Sequence, residues 1–510
     1  MTVPFARENI KTLRDLVYTA SERFSNDPFF RTRDKKNFID KSFSQFRHDA
    51  DALGAWMSEK FKTTVHSVVF GLTSYEFLIC WFGAAVSGNV SVPLNAGNEA
   101  VDLADEINRS DSEIVFLDER REMCVEELKT LCPQVKYFIH MHSDYPGTIN
   151  LMDILSEYGG KAPKKDINAQ DIAAIIFTSG TTGQSKGVML SHANMVDNAT
   201  CEPDLGYRGK KRMTLLPIHH VFCFTCDILC AFWYGRTICV NDSLMRIPKN
   251  LKAYQPHETT FVPMIALSIL NAMRREAQKN PDKLAVGRAM FGEDFEILYA
   301  GGAYLSPEII NGYKEFGIEI AQGYGMTECS PRISTGVKNC LYPDSVGRIV
   351  PGCEVKIVEG EIWVKSPSVM MGYYKNPEET AKTLTDDGWL MTGDLGYVKD
   401  NHVFIIGRKK NLIILSNGEN VSPEELENRF AAFDPINEIV VYDKDGTITA
   451  QIYPNPDYES TDIKAEIQSE VDRINDTLPA AKQLHRIVYR DSEFEKTASR
   501  KIKRNLIEKL

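Results

Sequence analysis

The sequence has no surplus of positive charge and no long uninterrupted apolar run. Its 510 residues carry a formal net charge of −11, with 59 Lys and Arg against 70 Asp and Glu. A nucleic-acid-binding surface needs a broad basic face, so this charge balance excludes that class of protein. The most apolar stretch, Val68–Leu94, is interrupted by polar residues such as Glu76 and Asn89. This pattern predicts buried core and no transmembrane segment.

Regularly spaced cysteines and an apolar N-terminal signal core are also missing. The eleven cysteines follow no regular pairing pattern, and the first 20 residues mix charged with apolar positions. Small secreted proteins held by disulfides have the opposite features. We therefore expect free thiols and a cytoplasmic location.

The chain is longer than one hydrophobic core usually serves, which predicts at least two domains. Short runs rich in Val and Ile alternate with helical patterns through residues 1–406 and predict buried strands. This alternation predicts a large α/β domain of mixed sheets flanked by helices. The predicted strands include Val68–Gly71, Ile114–Leu117, Ile172–Phe177, Arg212–Pro217, Thr237–Val240 and Ile297–Ala300.

Residues 407–510 have a different pattern. Ser422–Glu425 is a capping box with proline at the first helical position, so a helix is predicted to begin there. Asp445-Gly446 lies between two strand-like runs and predicts a hairpin. A second helix is predicted by apolar residues at helical spacing, namely Ile463, Ile467, Val471 and Ile474. Together these features predict a small α+β domain.

The segment Thr178–Gly187 is rich in glycine and hydroxyl residues and follows a predicted strand. Its glycines let the backbone approach a ligand, and its hydroxyls and Lys186 offer donors to phosphate oxygens. A Walker loop is excluded because Gly187 follows the lysine. A hydrolase elbow is matched only in letters, since Ser185 lies well beyond the strand end. A flexible surface loop remains the alternative to a phosphate site.

This segment resembles the phosphate loop of the adenylate-forming (ANL) superfamily, which contains acyl-CoA synthetases, peptide-synthetase adenylation domains and beetle luciferases. The superfamily usually has proline before the lysine, where this chain has Ser185. The resemblance implies that the loop binds ATP through Thr178, Ser179, Gly180, Thr181, Thr182 and Lys186.

The segment Gln322–Glu328 resembles a second motif of the superfamily. The resemblance implies that Tyr324 stacks on adenine, which an aromatic face suits. It also implies that Thr327 donates to the α-phosphate and that Glu328 is a ligand of Mg²⁺, both in catalytic roles. Thr178 is implied as a further contact of the metal.

Two other segments resemble the superfamily's contacts with ribose and adenine. Asp394 matches an aspartate that binds both ribose hydroxyls, since a carboxylate accepts two hydrogen bonds at once. Arg408 matches the next ribose contact. A glycine-rich turn after a predicted strand is expected to pack on adenine through Gly301, Gly302 and Ala303.

The acid is expected to bind beside His220, which matches a histidine bordering the acyl site. The resemblance places Gly301 and Gly323 in the same pocket. Phe222 stands where amino-acid-activating relatives have an aspartate for the substrate amine, which disfavours an amino acid substrate. A buried core histidine remains the alternative for His220.

The C-terminal segment resembles the mobile lid of the superfamily. Lys410 matches the hinge position, Gly418 a glycine on the thiol's path, and Lys501 the catalytic lysine that also contacts the nucleotide. Arg500 and Glu495 depart from the glycine and proline that are common there. A solvated basic tail is the alternative for this last segment.

The resemblance implies an AMP-forming acyl-CoA synthetase. Such an enzyme uses ATP and Mg²⁺ to activate a carboxylic acid, here a fatty acid by preference, and passes the acyl group to coenzyme A. A ligase that loads an acyl carrier protein and a non-catalytic adenylate-binding protein are the alternatives. Zinc binding by Cys223, Cys226 and Cys230 is disfavoured because their neighbours are apolar.

Overall fold

The computed structural model describes residues 7–35, 37–178, 185–203, 207–415, 420–430, 433–496 and 502–508. These residues form a large N-terminal region with two extended sheets and a smaller C-terminal region with its own sheet. The predicted mixed α/β class is confirmed.

The strands are numbered in the order in which they occur along the chain. They are β1 Pro28–Asp34, β2 Asn37–Ser42, β3 His66–Phe70, β4 Val90–Pro93, β5 Ser112–Leu117, β6 Tyr137–His140, β7 Ile149–Asn150, β8 Ile172–Thr178, β9 Lys186–Ser191, β10 Lys211–Thr214, β11 Thr237–Val240, β12 Glu258–Phe261, β13 Ile297–Ala300, β14 Ile320–Gly325, β15 Arg332–Thr335, β16 Arg348–Ile349, β17 Glu354–Val358, β18 Glu361–Lys365, β19 Gly372–Tyr373, β20 Leu390–Lys399, β21 His402–Arg408, β22 Ile413–Ile414, β23 Asn420–Val421, β24 Ile436–Lys444, β25 Thr447–Pro454 and β26 Arg486–Tyr489.

The helices are also numbered in the order in which they occur along the chain. They are α1 Leu13–Phe24, α2 Phe43–Lys60, α3 Tyr75–Val86, α4 Ala100–Arg109, α5 Val125–Leu131, α6 Leu151–Tyr158, α7 His192–Thr200, α8 Val221–Cys223, α9 Cys230–Tyr234, α10 Ile247–Tyr254, α11 Pro263–Ala277, α12 Lys283–Phe291, α13 Pro307–Glu315, α14 Pro377–Ala381, α15 Pro423–Asn428 and α16 Ile463–Asn475, with a π-helical segment Phe224–Leu229 joining α8 to α9.

Two sheets position the candidate site. Across the described residues, one sheet has eight strands in the order β19-β9-β8-β4-β3-β5-β6-β7, and the other has thirteen strands that include β10 to β15, β20 and β21. The central strands of both sheets run parallel, for example β3 beside β4 and β12 beside β13. Parallel strands that are buried on both faces have continuous apolar sequences, which explains the runs of Val and Ile from which they were predicted.

The core between the first helices and the π-helical segment is aromatic. Phe29 stacks on Phe232 with ring centroids 4.4 Å apart, and Phe46 meets the edge of Phe82 at 5.3 Å. Trp81 packs 4.1 Å from Phe224. Such tilted and edge contacts are the geometries that aromatic pairs prefer. This packing fixes the helix that borders the site.

The predicted strands are present, with ends that differ by a few residues. The largest difference is β10, which ends at Thr214 although the sequence predicted a strand as far as Pro217. Proline has no N–H to donate to a ladder, so strand pairing ends before it. None of the helices in the described parts of the chain combines the length and apolar character needed to cross a bilayer.

The C-terminal region follows its sequence closely. Ser422 caps α15 by accepting a hydrogen bond from the Glu425 N–H. Strands β24 and β25 form the predicted hairpin around Asp445-Gly446, and α16 covers the predicted helix. The division after residue 406 remains a prediction, and β21 continues to Arg408 before a short helical turn at Lys409–Asn411.

A buried ion network lies between the thirteen-stranded sheet and the π-helical segment. Arg212 Nε lies 2.6 Å from Asp227 Oδ1, and its Nη1 lies 3.3 Å from Glu258 Oε2. Arg236 forms a second ion pair with Glu258 at 2.7 Å, and Thr214 donates to Asp227 at 2.7 Å. All four charged side chains are at most 5% exposed. Each carboxylate is therefore balanced by a buried guanidinium.

Replacing Arg212 by methionine should lower the free energy of unfolding by about 3–5 kcal/mol, because a buried ion pair that loses one partner leaves an uncompensated charge. Urea unfolding followed by circular dichroism measures the change. The exposed pair of Arg208 with Asp27 provides the control, since Arg208→Met should cost less than about 1 kcal/mol. Equal costs for the two variants would contradict the assignment.

Candidate active site

The predicted phosphate loop connects two paired antiparallel strands. Thr178 ends β8 and Lys186 begins β9, and the two residues are register partners. The Thr178 hydroxyl lies 3.5 Å from the Lys186 carbonyl oxygen. The strand pair therefore holds both ends of the loop together. Four predicted phosphate contacts, Ser179, Gly180, Thr181 and Thr182, lie outside the described residues.

The ammonium group of Lys186 is held beside an acidic and an aromatic side chain. Lys186 forms an ion pair with Glu379, and its Nζ lies 5.2 Å from the centre of the Tyr373 ring. Lys186 and Lys382 lower the pKa of Glu379 to about 2. Among the residues that the structure describes, Glu379 is the carboxylate that pairs with this lysine.

Glu328 is connected to Lys186 through the side chain of Tyr373. The Tyr373 hydroxyl donates to Glu328 Oε1 at 2.8 Å, and Glu328 is 9% exposed. Tyr373 belongs to β19, which pairs with β9 two residues beyond Lys186. The same tyrosine therefore contacts the lysine and the carboxylate. Thr327 begins the short helical turn that carries Glu328.

Tyr324, Asp394 and Arg408 form a second cluster. The Tyr324 hydroxyl donates to Asp394 Oδ2 at 2.7 Å, and Arg408 Nε lies 2.7 Å from Asp394 Oδ1. Burial, with a further contribution from Asp394, raises the pKa of Tyr324 well above its usual value. Asp394 and Arg408 are partners in the β20–β21 ladder. The structure thus brings the predicted adenine and ribose contacts together.

The predicted acid pocket lies at the end of β13 and β14. A Cβ atom on Gly301 would lie 2.9 Å from Phe222 Cζ and 3.2 Å from the Gly323 carbonyl oxygen, so glycine is needed there for close packing. Gly302 has φ of +83°, a conformation that favours glycine. His220 precedes α8, and its ring lies 4.2 Å from that of His219.

Two further predicted residues are Ala303 in the glycine turn and Lys410 in the predicted lid. Ala303 is exposed on the turn. Lys410 is also solvent-accessible, but partial desolvation together with the charges of Arg408 and Lys186 lowers its pKa.

Gly418 and Lys501 lie outside the described residues. The chain on either side of Lys501 is ordered by an antiparallel bridge between Lys496 and Ile502. The Lys503 N–H also donates to the Glu495 carbonyl oxygen at 2.8 Å. The two chain segments that flank the predicted catalytic lysine are therefore held side by side.

Sequence reasoning missed two residues that hold Ser185. Arg109 donates through Nη1 to the Ser185 hydroxyl at 3.2 Å and through Nη2 to its carbonyl oxygen. The Ser185 hydroxyl donates to Glu106 Oε1 at 3.2 Å, and burial raises the pKa of Glu106 to about 7. Both residues lie on α4, far from the loop in sequence. A Glu and an Arg three positions apart on a helix give no signal of this contact.

Tyr373 and Glu379 were also missed, because they contact Lys186 and Glu328 only after β19 joins β9. The three cysteines at 223, 226 and 230 are free thiols. In the part of the chain that the structure describes, no group of three or more His, Cys, Asp or Glu side chains is arranged to hold a metal ion.

The sequence profile of the AMP-binding enzyme family matches residues 18–374, and that of the AMP-binding enzyme C-terminal domain matches residues 410–510. The chain belongs to the AMP-binding enzyme family. It is 27% identical over 425 residues to the long-chain-fatty-acid–CoA ligase FadD15 of Mycobacterium bovis, covering 73% of this chain and 70% of that protein. It is 31% identical over 331 residues to a long-chain-fatty-acid–CoA ligase of Haemophilus influenzae, covering 60% and 55%.

Solved structures confirm that the whole chain has the fold of this family. The anthranilate CoA ligase AuaEII, determined in complex with anthranoyl-AMP, superposes with a TM-score of 0.85 at 19% identity and covers 98% of this chain and 97% of its own. ATP-bound MatB from Rhodopseudomonas palustris superposes with a TM-score of 0.81 at 22% identity and covers 96% and 97%.

Replacing Arg109 by methionine should weaken ATP binding by about tenfold or more, because it removes two charge-assisted hydrogen bonds that hold the phosphate loop at Ser185. In a Ser185→Pro background the same substitution should change the affinity less than about threefold, since proline fixes the backbone without Arg109. Isothermal titration calorimetry with ATP measures all four members of the cycle.

The control for this cycle is Arg246→Met, which removes an i,i+4 ion pair with the exposed Asp242. It should leave the affinity for ATP unchanged. An equal loss on Arg109→Met in both backgrounds would show that Arg109 does not act through Ser185.

Proposed function

We propose that this protein is an AMP-forming carboxylate–CoA ligase. It joins a carboxylic acid to AMP at the expense of ATP, releases pyrophosphate, and then transfers the acyl group to the thiol of coenzyme A. The observation that carries the proposal is that four predicted site residues form two contact clusters. Lys186 and Glu328 are linked through Tyr373, and Tyr324 contacts Asp394.

The nucleotide is proposed to lie across these two clusters. Its ribose hydroxyls donate to Asp394, which Arg408 holds in place, while adenine packs between Tyr324 and the turn of Gly301, Gly302 and Ala303. The phosphates extend along the loop from Thr178 toward Lys186. Dense donors at this loop suit the triphosphate, because charge-assisted hydrogen bonds are about twice as strong as neutral ones.

The donor set also fits Mg²⁺. Glu328 is a nearly buried carboxylate, and in the described residues only its Oε1 has a recorded hydrogen bond, from Tyr373. One carboxylate suffices when phosphates and water complete the octahedron, and the Thr178 hydroxyl lies beside the loop as a further oxygen ligand. A bound Mg²⁺ would neutralise charge that develops on the phosphates.

In the first half-reaction the acid's carboxylate oxygen attacks the α-phosphorus, and the bond from this phosphorus to the pyrophosphate oxygen breaks. The protein needs no nucleophile of its own. Thr327 donates to the α-phosphate, and Lys186 and Lys501 offset negative charge on the reacting oxygens. Alignment and preorganised charge of this kind supply the rate enhancement.

In the second half-reaction the sulfur of coenzyme A attacks the acyl carbon, and AMP leaves with the electron pair of the carbon–oxygen bond. We propose that residues 407–510 turn about Lys410 between the two steps. This turn withdraws Lys501 and brings Gly418 to the thiol path. The short helical turn at Lys409–Asn411, between β21 and β22, is a suitable hinge.

The acid is proposed to bind between His220, Phe222, Gly301 and Gly323. A fatty acid is favoured because FadD15 and the Haemophilus influenzae relative are long-chain-fatty-acid–CoA ligases by name. All eleven cysteines are free, which supports a reducing cytoplasmic location.

Carboxylate-dependent exchange of radioactive pyrophosphate into ATP tests the first half-reaction. A fatty-acid panel should support exchange, and coenzyme A should then yield the thioester. If exchange occurs but coenzyme A yields no thioester, a carrier protein with a pantetheine arm is tried in its place. Thioester formation with the carrier protein alone would show that it is the acyl acceptor. A protein that binds ATP with no exchange for any acid would contradict the proposed function.

Replacing Lys501 by alanine should lower the rate of adenylate formation by about 10²–10³, because one preorganised donor to the reacting oxygens is lost. Thioester formation from supplied acyl-AMP should keep most of its rate, since Lys501 is proposed to be withdrawn in that step. Single-turnover assays of the two half-reactions measure the difference. Equal losses in both, in a folded variant, would rule out this role.

A further inference from the structure

Arg332 lies deep in the site region, close to the proposed acid pocket. It begins β15 and pairs with Gly325 of β14, two residues beyond Gly323. Neighbouring strands lie about 4.8 Å apart and rise about 3.3 Å per residue, so the Arg332 backbone is within roughly 9 Å of Gly323. The backbone of Arg332 therefore lies close to Gly323, which is predicted to line the acid pocket.

The guanidinium of Arg332 has no carboxylate partner among the described residues. Its Nε donates to Asn198 Oδ1 at 3.3 Å, and its Nη2 donates to the Asn198 carbonyl oxygen and to Cys201 Sγ at 3.4 Å. The structure records no hydrogen bond from Nη1 to any of the residues it describes. Arg212, in the same region, has two carboxylates.

The helical segment of residues 221–234 borders the proposed acid pocket. It begins beside Gly301 and runs toward the residues that Arg332 contacts. Within residues 221–234 only Phe222 and Cys226 keep accessible surface, and they lie one turn apart on the same face. Phe222 packs against Gly301. One turn beyond Cys226, the Cys230 thiol donates to the Ala199 carbonyl oxygen at 3.6 Å, and Ala199 follows the Asn198 that Arg332 contacts.

Arg332 also keeps part of its accessible surface, although its hydrogen-bond partners Asn198 and Cys201 are buried. The segment that starts at Phe222, beside Gly301, therefore runs toward the end of α7 that Arg332 contacts. Phe222, Cys226 and Arg332 are its partly accessible side chains, with the apolar residue at one end and the positive charge at the other.

We propose that the acid this enzyme activates carries a second carboxylate, which pairs with Arg332 at the far end of the acyl pocket. The proposal rests on the proposed function, and it replaces the unfunctionalised fatty acid favoured there with an aliphatic dicarboxylic acid. A buried cation without a counter-ion is costly, and a planar guanidinium binds a carboxylate through two parallel hydrogen bonds. An unfunctionalised chain would leave this charge buried against methylene groups.

A purely structural role accounts for only part of the geometry. The Asn198 carbonyl belongs to the last turn of α7. The positive charge of an arginine near a helix C-terminus stabilises that end of the helix. That role uses Nε and Nη2, and no described residue is recorded as a hydrogen-bond partner of Nη1. It also predicts no dependence of the reaction on the far end of the substrate.

The test compares dicarboxylic acids from succinate to sebacate with monocarboxylic acids of the same lengths in the pyrophosphate-exchange assay. For the best length, the wild-type enzyme should prefer the diacid in kcat/KM. Arg332→Gln, which can still bond to the Asn198 carbonyl, should lower this preference about 10- to 100-fold, the range expected for a hydrogen bond to a charged group. Arg332→Lys should restore part of the preference.

The matched control is Arg348→Gln, which removes an arginine paired with Glu202 at 2.9 Å and 41% exposed. It should leave the preference unchanged. Preference of the wild type for monocarboxylic acids, or an equal loss for both series in Arg332→Gln, would overturn this inference and leave the proposed function standing. Exchange with neither series would overturn both.

Discussion

The hydrogen bond from Tyr373 to Glu328 joins the phosphate loop to the carboxylate proposed to bind the metal. Tyr373 lies on a two-residue strand at the edge of the eight-stranded sheet, and its partner β9 begins with Lys186. Glu328 belongs to a turn that follows β14 of the other sheet. One short strand thus sets the distance between groups that two separate sheets supply.

Charge balance imposes a second constraint on this site. The chain carries a net charge of −11, so cations for a triphosphate must be concentrated locally. Lys186 is such a cation, and Glu379 balances it. A triphosphate and Glu379 would compete for one ammonium group. Glu379 also pairs with Lys382 at 2.8 Å, so the proposed binding of a phosphate to Lys186 would leave neither Lys186 nor Glu379 without a partner.

Much of the fold could be predicted from local patterns. Short Val- and Ile-rich runs identified strands such as β11 and β13, and Asp445-Gly446 identified the C-terminal hairpin. The motif residues proposed to bind the nucleotide could be named because each motif is local in sequence. Tyr373, Glu379, Arg109 and Arg332 were not found, because their neighbours come from distant strands and helices. The strand order of the sheets brings these four residues to the region of the predicted site.

The departure at Ser185 illustrates how one physical requirement can be met in two ways. A phosphate loop must be restrained before ATP binds, or the cost of ordering it reduces the affinity. Proline restrains the backbone by fixing φ, whereas a serine leaves that freedom. Here Arg109 and Glu106 hold both the hydroxyl and the carbonyl oxygen of the serine. The restraint would then come from a partly buried side-chain network on α4 instead of from the backbone. A restraint of this kind depends on the protonation of Glu106, whose pKa near 7 lies within the physiological range, while a proline has no such dependence.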